Sequence, residues 1–332
     1  MAGKFRFLRV FGALFLALAL AACSTSEAMR SVEASGGAPI PSSASDPAKY
    51  AALVINADNG KVLYAVNADA GRYPASLTKM MTLYLLFEAM QSGRVTASTM
   101  IPVSQHAASQ PPSKLRVRAG DQIDVDTAIR ALATKSANDV AVAVGEFLGG
   151  SEEQFAAQMT AKARQLGMRN TTFRSASGLH DPMQITTARD MATLGNALRK
   201  RFPNRFSYFS ATGFNYRGTY VRGHNDLLGR VPGVDGIKTG FVRASGFNIV
   251  TSAHGNGKNL IVVVMGGRTG RARNAEVEAL VNKYLGRSAA SYANRPVVDA
   301  VPVTVVQPAP GVEIVPQSPI VDDPGPAVDA AE

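Results

Sequence analysis

Ser76-Leu77-Thr78-Lys79 stands at the head of a stretch in which Met80, Leu83, Tyr84, Phe87 and Met90 recur at helical spacing. The spacing predicts a helix beginning near Ser76. On a helix, residues three apart share a face, so the Lys79 amine can reach the Ser76 hydroxyl. A serine hydroxyl is a weak nucleophile until a base takes its proton. A lysine is a base only when neutral, which requires desolvation or nearby positive charge. The Ser76 amide, at a helix N-terminus, suits an oxyanion. Taken alone the pattern is weak, because Lys79 reads equally well as a surface lysine laid along its helix.

Two further short motifs follow in order. Ser136-Ala137-Asn138 falls in a helical region, Asp126–Leu148, and Lys238-Thr239-Gly240 stands just ahead of a strand. Lys238 supplies positive charge that would keep Lys79 neutral. Ser136 is placed to relay the proton to a leaving amine, and Asn138 to orient Lys79 and hold a substrate amide. Three such motifs in this order on one chain are far more specific than any one of them.

Around these motifs, Ala51–Asn56 and Val62–Asn67 flank Ala57-Asp58-Asn59-Gly60, a hairpin signal. Glu152–Leu166 reads as a helix ending at Gly167. Phe247–Ala253 and Asn259–Gly266 read as buried strands joined by His254-Gly255-Asn256-Gly257, and Arg273–Leu285 as a closing helix. Strands at both ends with helices between them imply an α+β class, one antiparallel sheet with helices packed on it.

The ends of the 332-residue chain differ from its middle. Lys4, Arg6 and Arg9 precede an apolar run, Val10–Ala22, too short for a comfortable membrane span; residues 1–22 read as an export signal. Cys23 is the only cysteine, which excludes an internal disulfide. Leu20-Ala21-Ala22-Cys23 resembles a bacterial lipoprotein signal, which makes Cys23 a lipidation candidate; ordinary cleavage after Ala21 is the alternative. Either outcome predicts an exported, periplasmic protein, with the membrane as a partner through an N-terminal lipid in the first case. Residues 23–47 read as a flexible tether, 48–287 as the folded domain, and 288–332 as a disordered acidic, Pro-rich tail. The net charge is +10 although the tail carries Asp299, Glu313, Asp322, Asp323, Asp329 and Glu332, so the domain is markedly basic. That suits an anionic partner; export argues for a wall polymer and against nucleic acid, and a solvated surface is the bland reading.

The three motifs together are the signature of penicillin-binding proteins and class A β-lactamases. The domain resembles the low-molecular-mass penicillin-binding proteins, the serine D-Ala-D-Ala carboxypeptidases of peptidase family S11. Ala68–Lys79, Ser136–Ala141, Ser177-Gly178-Leu179, Lys238–Asn248 and Met265–Thr269 all carry the likeness, which covers about 48–287. The resemblance implies a β-lactamase/transpeptidase-like fold with helices on both faces of the sheet. It implies that Ser76 is acylated by peptidoglycan stem peptides and by β-lactams, with Lys79 as proton acceptor and Ser136 beside it. Asn138 would line the cleft, Lys238 and Thr239 would bind the substrate's terminal carboxylate, Phe241 would give the second oxyanion amide, and Arg273 would help fix the carboxylate. Val242 departs from the family, where a threonine is common. The family's C-terminal β-rich domain and amphipathic anchor have no expected counterpart.

Three rival readings carry different chemistry. A class A β-lactamase deacylates with a glutamate, and no glutamate occurs between Glu153 and Glu276. A D,D-endopeptidase cutting cross-links would use the same residues. A non-catalytic wall-binding module would have no need of an intact Ser76, Lys79, Ser136, Asn138 and Lys238. No cofactor or metal is expected, because His106, His180, His224 and His254 are scattered without ligand spacing.

Overall fold

The computed structural model describes residues 48–287; the expected export signal, the expected tether with Cys23 and the expected disordered tail lie outside the described residues. Strands β1 (Ala51–Asn56) and β2 (Val62–Val66) form the opening hairpin, in which Asn56 Oδ1 accepts from the Asp58 amide at 2.8 Å. A tight 3-10 turn, Ala75–Thr78, leads into α1 (Lys79–Gln91). Next come β3 (Met100–Pro102), α2 (Gln105–Ser109), β4 (Gln122–Asp124) and α3 (Val125–Arg130). A π turn, Ala131–Lys135, separates α3 from α4 (Asn138–Gly149), and α5 (Glu152–Gln165) and α6 (Ala188–Arg201) follow. The hairpin β5 (Gly213–Tyr216) and β6 (Thr219–Arg222) precedes three long strands, β7 (Val234–Val242), β8 (Gly246–Gly255) and β9 (Lys258–Gly267). Helix α7 (Gly270–Leu285) closes the described chain, with Thr269 Oγ1 accepting from the Ala272 amide at 3.0 Å.

The main sheet is antiparallel in the order β2-β1-β9-β8-β7, so the first and last strands pair at its middle. Both faces are covered. Leu53, Ile55, Ile261, Val263 and Met265 face the helical core, while Val54, Leu260, Val262 and Val264 face Val277, Leu280 and Val281 of α7. A strand buried on both faces has no polar alternation, which is why Leu260–Met265 reads as one apolar run. The structure therefore has the expected α+β architecture, one antiparallel sheet with helices on both faces.

Some local readings change. Asp126–Leu148 is not one helix but two, broken at Ser136, whose φ of 63° and ψ of 35° are left-handed. Apolar residues on both sides of the break bury into the same core, so the helical period runs through it unmarked. Lys238-Thr239-Gly240 lies inside β7 rather than ahead of a strand. Lysine, threonine and glycine are poor strand signals, and cross-strand pairing with β8 overrides them. The β8–β9 turn shortens to Asn256-Gly257 as the strands extend to Gly255 and from Lys258. Helix α6 went unread, although Thr187 Oγ1 accepts from the Asp190 amide at 3.0 Å, a capping pattern visible in the sequence. No helix among the described residues is long and apolar enough to cross a membrane.

Candidate active site

The turn that carries Ser76 is held from two sides. Ala75 adopts a φ of 50°, which turns the chain sharply before the helix. Gly178 approaches so closely that a Cβ there would stand 2.0 Å from the Ala75 carbonyl oxygen, and its own φ is +84°. From α1, the Lys79 ammonium nitrogen lies 3.1 Å from Ser76 Oγ, as the spacing predicts. It also donates to Asn138 Oδ1 at 2.7 Å and to the Ser177 carbonyl at 2.6 Å. Lys79 has no solvent exposure. Its burial, and next the charge of Lys238, pull its pKa well below the usual lysine range. The neutral amine that catalysis requires is thus favoured by the site itself.

The break between α3 and α4 presents the second motif. Ser136 Oγ is buried and has no hydrogen-bond partner among the described residues, so its lone pairs and proton are available to a ligand. Asn138, the first residue of α4, uses its oxygen on Lys79 and its amide hydrogens on the carbonyls of Pro111 and Pro112, at 2.9 and 3.1 Å. Its oxygen faces Lys79, but its donors are taken by these two carbonyls at the cleft rim, so the expected hold on a substrate amide does not come from this side-chain nitrogen. Asp139 fixes the same rim: its carboxylate accepts from the amides of Leu115, Arg116 and Val117 at 3.0, 2.8 and 3.2 Å.

Strand β7 supplies the third wall. A Cβ at Gly240 would stand 3.0 Å from the Ser76 nitrogen, so glycine is needed for the strand to reach the nucleophile's amide. Lys238 is 1% exposed and donates to the Thr239 carbonyl at 2.9 Å. Burial, and secondarily Arg273, lower its pKa to about 7. Arg273 is itself buried, lowered to about 10 chiefly by desolvation, and donates to the Asn248 carbonyl at 2.6 Å and to Asn274 Oδ1 at 2.9 Å. These groups open onto one cleft of about 430 Å³, lined by Ser76, Ser136, Asn138, Thr239, Phe241 and Arg273 among others. The structure brings together every site residue expected from the sequence except Cys23, which lies outside the described residues.

Sequence reasoning missed four contributions. The Ser177 carbonyl that holds Lys79 is backbone, and leaves no residue-type signature. Asp139 stood inside a quoted motif, but its clamp on three amides is legible only in the fold. Asn248 links the sides of the site: it donates to the Tyr73 carbonyl at 3.0 Å, while its own carbonyl accepts from Arg273. His224 and Asp226, in the connection after β6, line the cleft mouth. No glutamate lies among the cleft-lining residues.

A five-stranded antiparallel sheet between helices, with a serine–lysine pair at the foot of α1 and a lysine on the facing strand, defines the penicillin-binding class of fold. The chain belongs to peptidase family S11, the D-alanyl-D-alanine carboxypeptidases, whose pattern it matches over residues 40–269. It is 38% identical over 236 residues to the D-alanyl-D-alanine carboxypeptidase DacA of Escherichia coli (strain K12), covering 69% of this chain and 59% of that protein. It is 35% identical over 237 residues to DacF of Bacillus subtilis (strain 168), another D-alanyl-D-alanine carboxypeptidase, covering 70% of this chain and 60% of the relative. The chain thus spans about 60% of the length of these curated relatives. Among solved structures, penicillin binding protein 5 from Haemophilus influenzae superimposes with a TM-score of 0.70 at 31% identity, over 74% of this chain and 72% of that one.

Proposed function

We propose that this protein is a serine D-alanyl-D-alanine carboxypeptidase that removes the terminal D-Ala from peptidoglycan stem peptides and is acylated at Ser76 by penicillin. The observation that carries this reading is a fully buried Lys79 amine 3.1 Å from Ser76 Oγ, in a site that disfavours its charge. Lys238 and Arg273 hold the substrate's terminal carboxylate. The neutral Lys79 amine takes the Ser76 proton as Oγ attacks the penultimate carbonyl carbon. The amides of Ser76 and Phe241 stabilise the resulting oxyanion. The peptide C–N bond then breaks, and Ser136 passes the proton from Lys79 to the departing D-Ala nitrogen. Water hydrolyses the acyl-enzyme and regenerates Ser76. With no glutamate in the cleft lining to activate that water, a penicillin acyl group, which retains its leaving group, stays attached. The export signal and Cys23 support a periplasmic protein held by an N-terminal lipid.

Incubation with labelled penicillin, followed by a peptide ending in D-Ala-D-Ala and a cross-linked dimer, tests this reading. The expected results are a covalent adduct at Ser76 and release of free D-Ala from the peptide. An equal adduct on Ser76→Ala refutes the nucleophile, rapid penicillin turnover moves the protein to the β-lactamases, and cleavage of the dimer alone makes it an endopeptidase.

A further inference from the structure

One wall of the cleft presents side chains that have no part in the acylation steps above, although the Phe241 backbone amide does. Phe241 leaves 49% of its surface exposed while lining the cleft. Its cross-strand partner is Phe247, and the two rings lie with centroids 4.3 Å apart and planes inclined by 33°. Val242 and Phe247 line the same cleft. The shelf is tied in space to the carboxylate-binding end. A Cβ on Gly270 would lie 3.7 Å from Phe247 Cδ1 and 4.0 Å from an Nη atom of Arg273. The aromatic surface therefore stands about one side-chain length from the guanidinium.

Leaving a large aromatic half in water is unfavourable, and an exposed apolar surface inside a cleft with converging polar groups marks a ligand contact. The occupant follows from the neighbour. A terminal residue whose carboxylate is held by Arg273 and Lys238 has its Cα one bond away, so its side chain lies within reach of the shelf. A cationic side chain there would meet Lys238 and Arg273 and be repelled; an apolar one would cover the rings.

We propose that Phe241, Val242 and Phe247 form an apolar subsite for the side chain of the substrate's terminal D-residue, so that the enzyme releases D-residues with bulky apolar side chains as readily as D-alanine. This inference rests on the carboxypeptidase reading. It predicts a preference at the leaving residue that the three catalytic motifs do not specify. The chemistry is unchanged: the same peptide bond is hydrolysed, and only the free D-amino acid differs.

Competition between peptides ending in D-Ala-D-Ala and D-Ala-D-Leu, offered together to the full-length protein, gives the ratio of their kcat/KM values. That ratio is independent of how much enzyme is folded and of any shared oxyanion contact. D-Leu is expected to be released at least as fast as D-Ala by the wild-type protein. Phe241→Ala and Phe247→Ala should each lower the D-Leu to D-Ala ratio about tenfold, the scale of losing contact with a few methylenes, while Phe241→Leu retains most of it. A wild-type ratio clearly below about one, or a ratio unchanged in both alanine variants, overturns the subsite. Release of D-Ala with rejection of D-Leu refutes the subsite alone. Release of neither refutes the carboxypeptidase reading, and the subsite with it.

Discussion

Lys79 and Lys238 divide the electrostatic work of the site between them. Lys79 must be neutral to accept the Ser76 proton, so acylation rises with pH through its depressed pKa. Lys238 must be charged to hold a carboxylate, and in the free protein that charge is lost as pH rises through about 7. The pH dependence of kcat/KM for a D-Ala-D-Ala peptide should therefore be bell-shaped, with its alkaline limb near neutrality; a profile still climbing at pH 9 would contradict these assignments. Stability follows the opposite sense. A lysine whose folded pKa lies below its unfolded value destabilises the fold where both states are charged, below about pH 7 here, and that cost fades toward the unfolded pKa. Lys238→Met should raise the unfolding temperature by several degrees at pH 6, about 2–4 °C per kcal/mol, and by less at pH 10. It should also abolish peptide turnover. Calorimetry at the two pH values checks the sign.

At the scale of elements, the segment Ser175–Gly178 holds the base, and α5 holds that segment. Glu152 Oε1 accepts from the Ala176 amide at 3.0 Å, and its other oxygen meets His106 Nε2 at 2.9 Å. The Ala176 carbonyl then accepts from Thr82 Oγ1 at 2.7 Å, and the Ser177 carbonyl from Lys79. Glu152→Ala should slow penicillin acylation about tenfold, the value of one buried hydrogen bond. Glu152→Gln keeps an acceptor but removes a charge that favours the Lys79 ammonium, so its acid limb should move to lower pH. An unshifted limb would show that Glu152 acts through packing alone. Gly178→Ala would drive a Cβ into the Ala75 carbonyl and strain a left-handed residue, and should cost acylation more than it costs thermal stability. These contacts were out of reach of sequence reasoning: the Lys79–Ser177 bond spans 98 residues, and its acceptor is a backbone atom.

At the scale of the molecule, the main sheet separates two apolar cores, and α7 covers the one away from the site. Ile261 and Leu280 are both fully buried, on opposite sides. Ile261→Ala and Leu280→Ala should each cost about 2–5 kcal/mol, and their effects should nearly add because the two residues belong to separate apolar clusters on opposite faces of the sheet. Urea unfolding of the double variant tests this; a loss no greater than that of either single change would mean the two cores are not independent. The apolar strands and helix α1, buried on almost every side, were legible because apolar runs and hydrophobic spacing are local. The strand identity of Lys238-Thr239-Gly240 and the break at Ser136 were not, because each is imposed by partners far along the chain.

The sequence by itself determined the chemistry on offer: a serine and a lysine one helical turn apart, a second serine with its asparagine, a lysine on a third segment, and an α+β order of elements. These are local patterns, set by spacing and side-chain type. Only the tertiary structure decided that Lys79 is buried enough for its charge to be disfavoured, that Asn138 and Ser177 aim it, and that Phe241 and Phe247 share the cleft with Arg273. Desolvation and charge coupling depend on what surrounds a group in space, and here those surroundings come from strands and helices that meet only when the sheet closes.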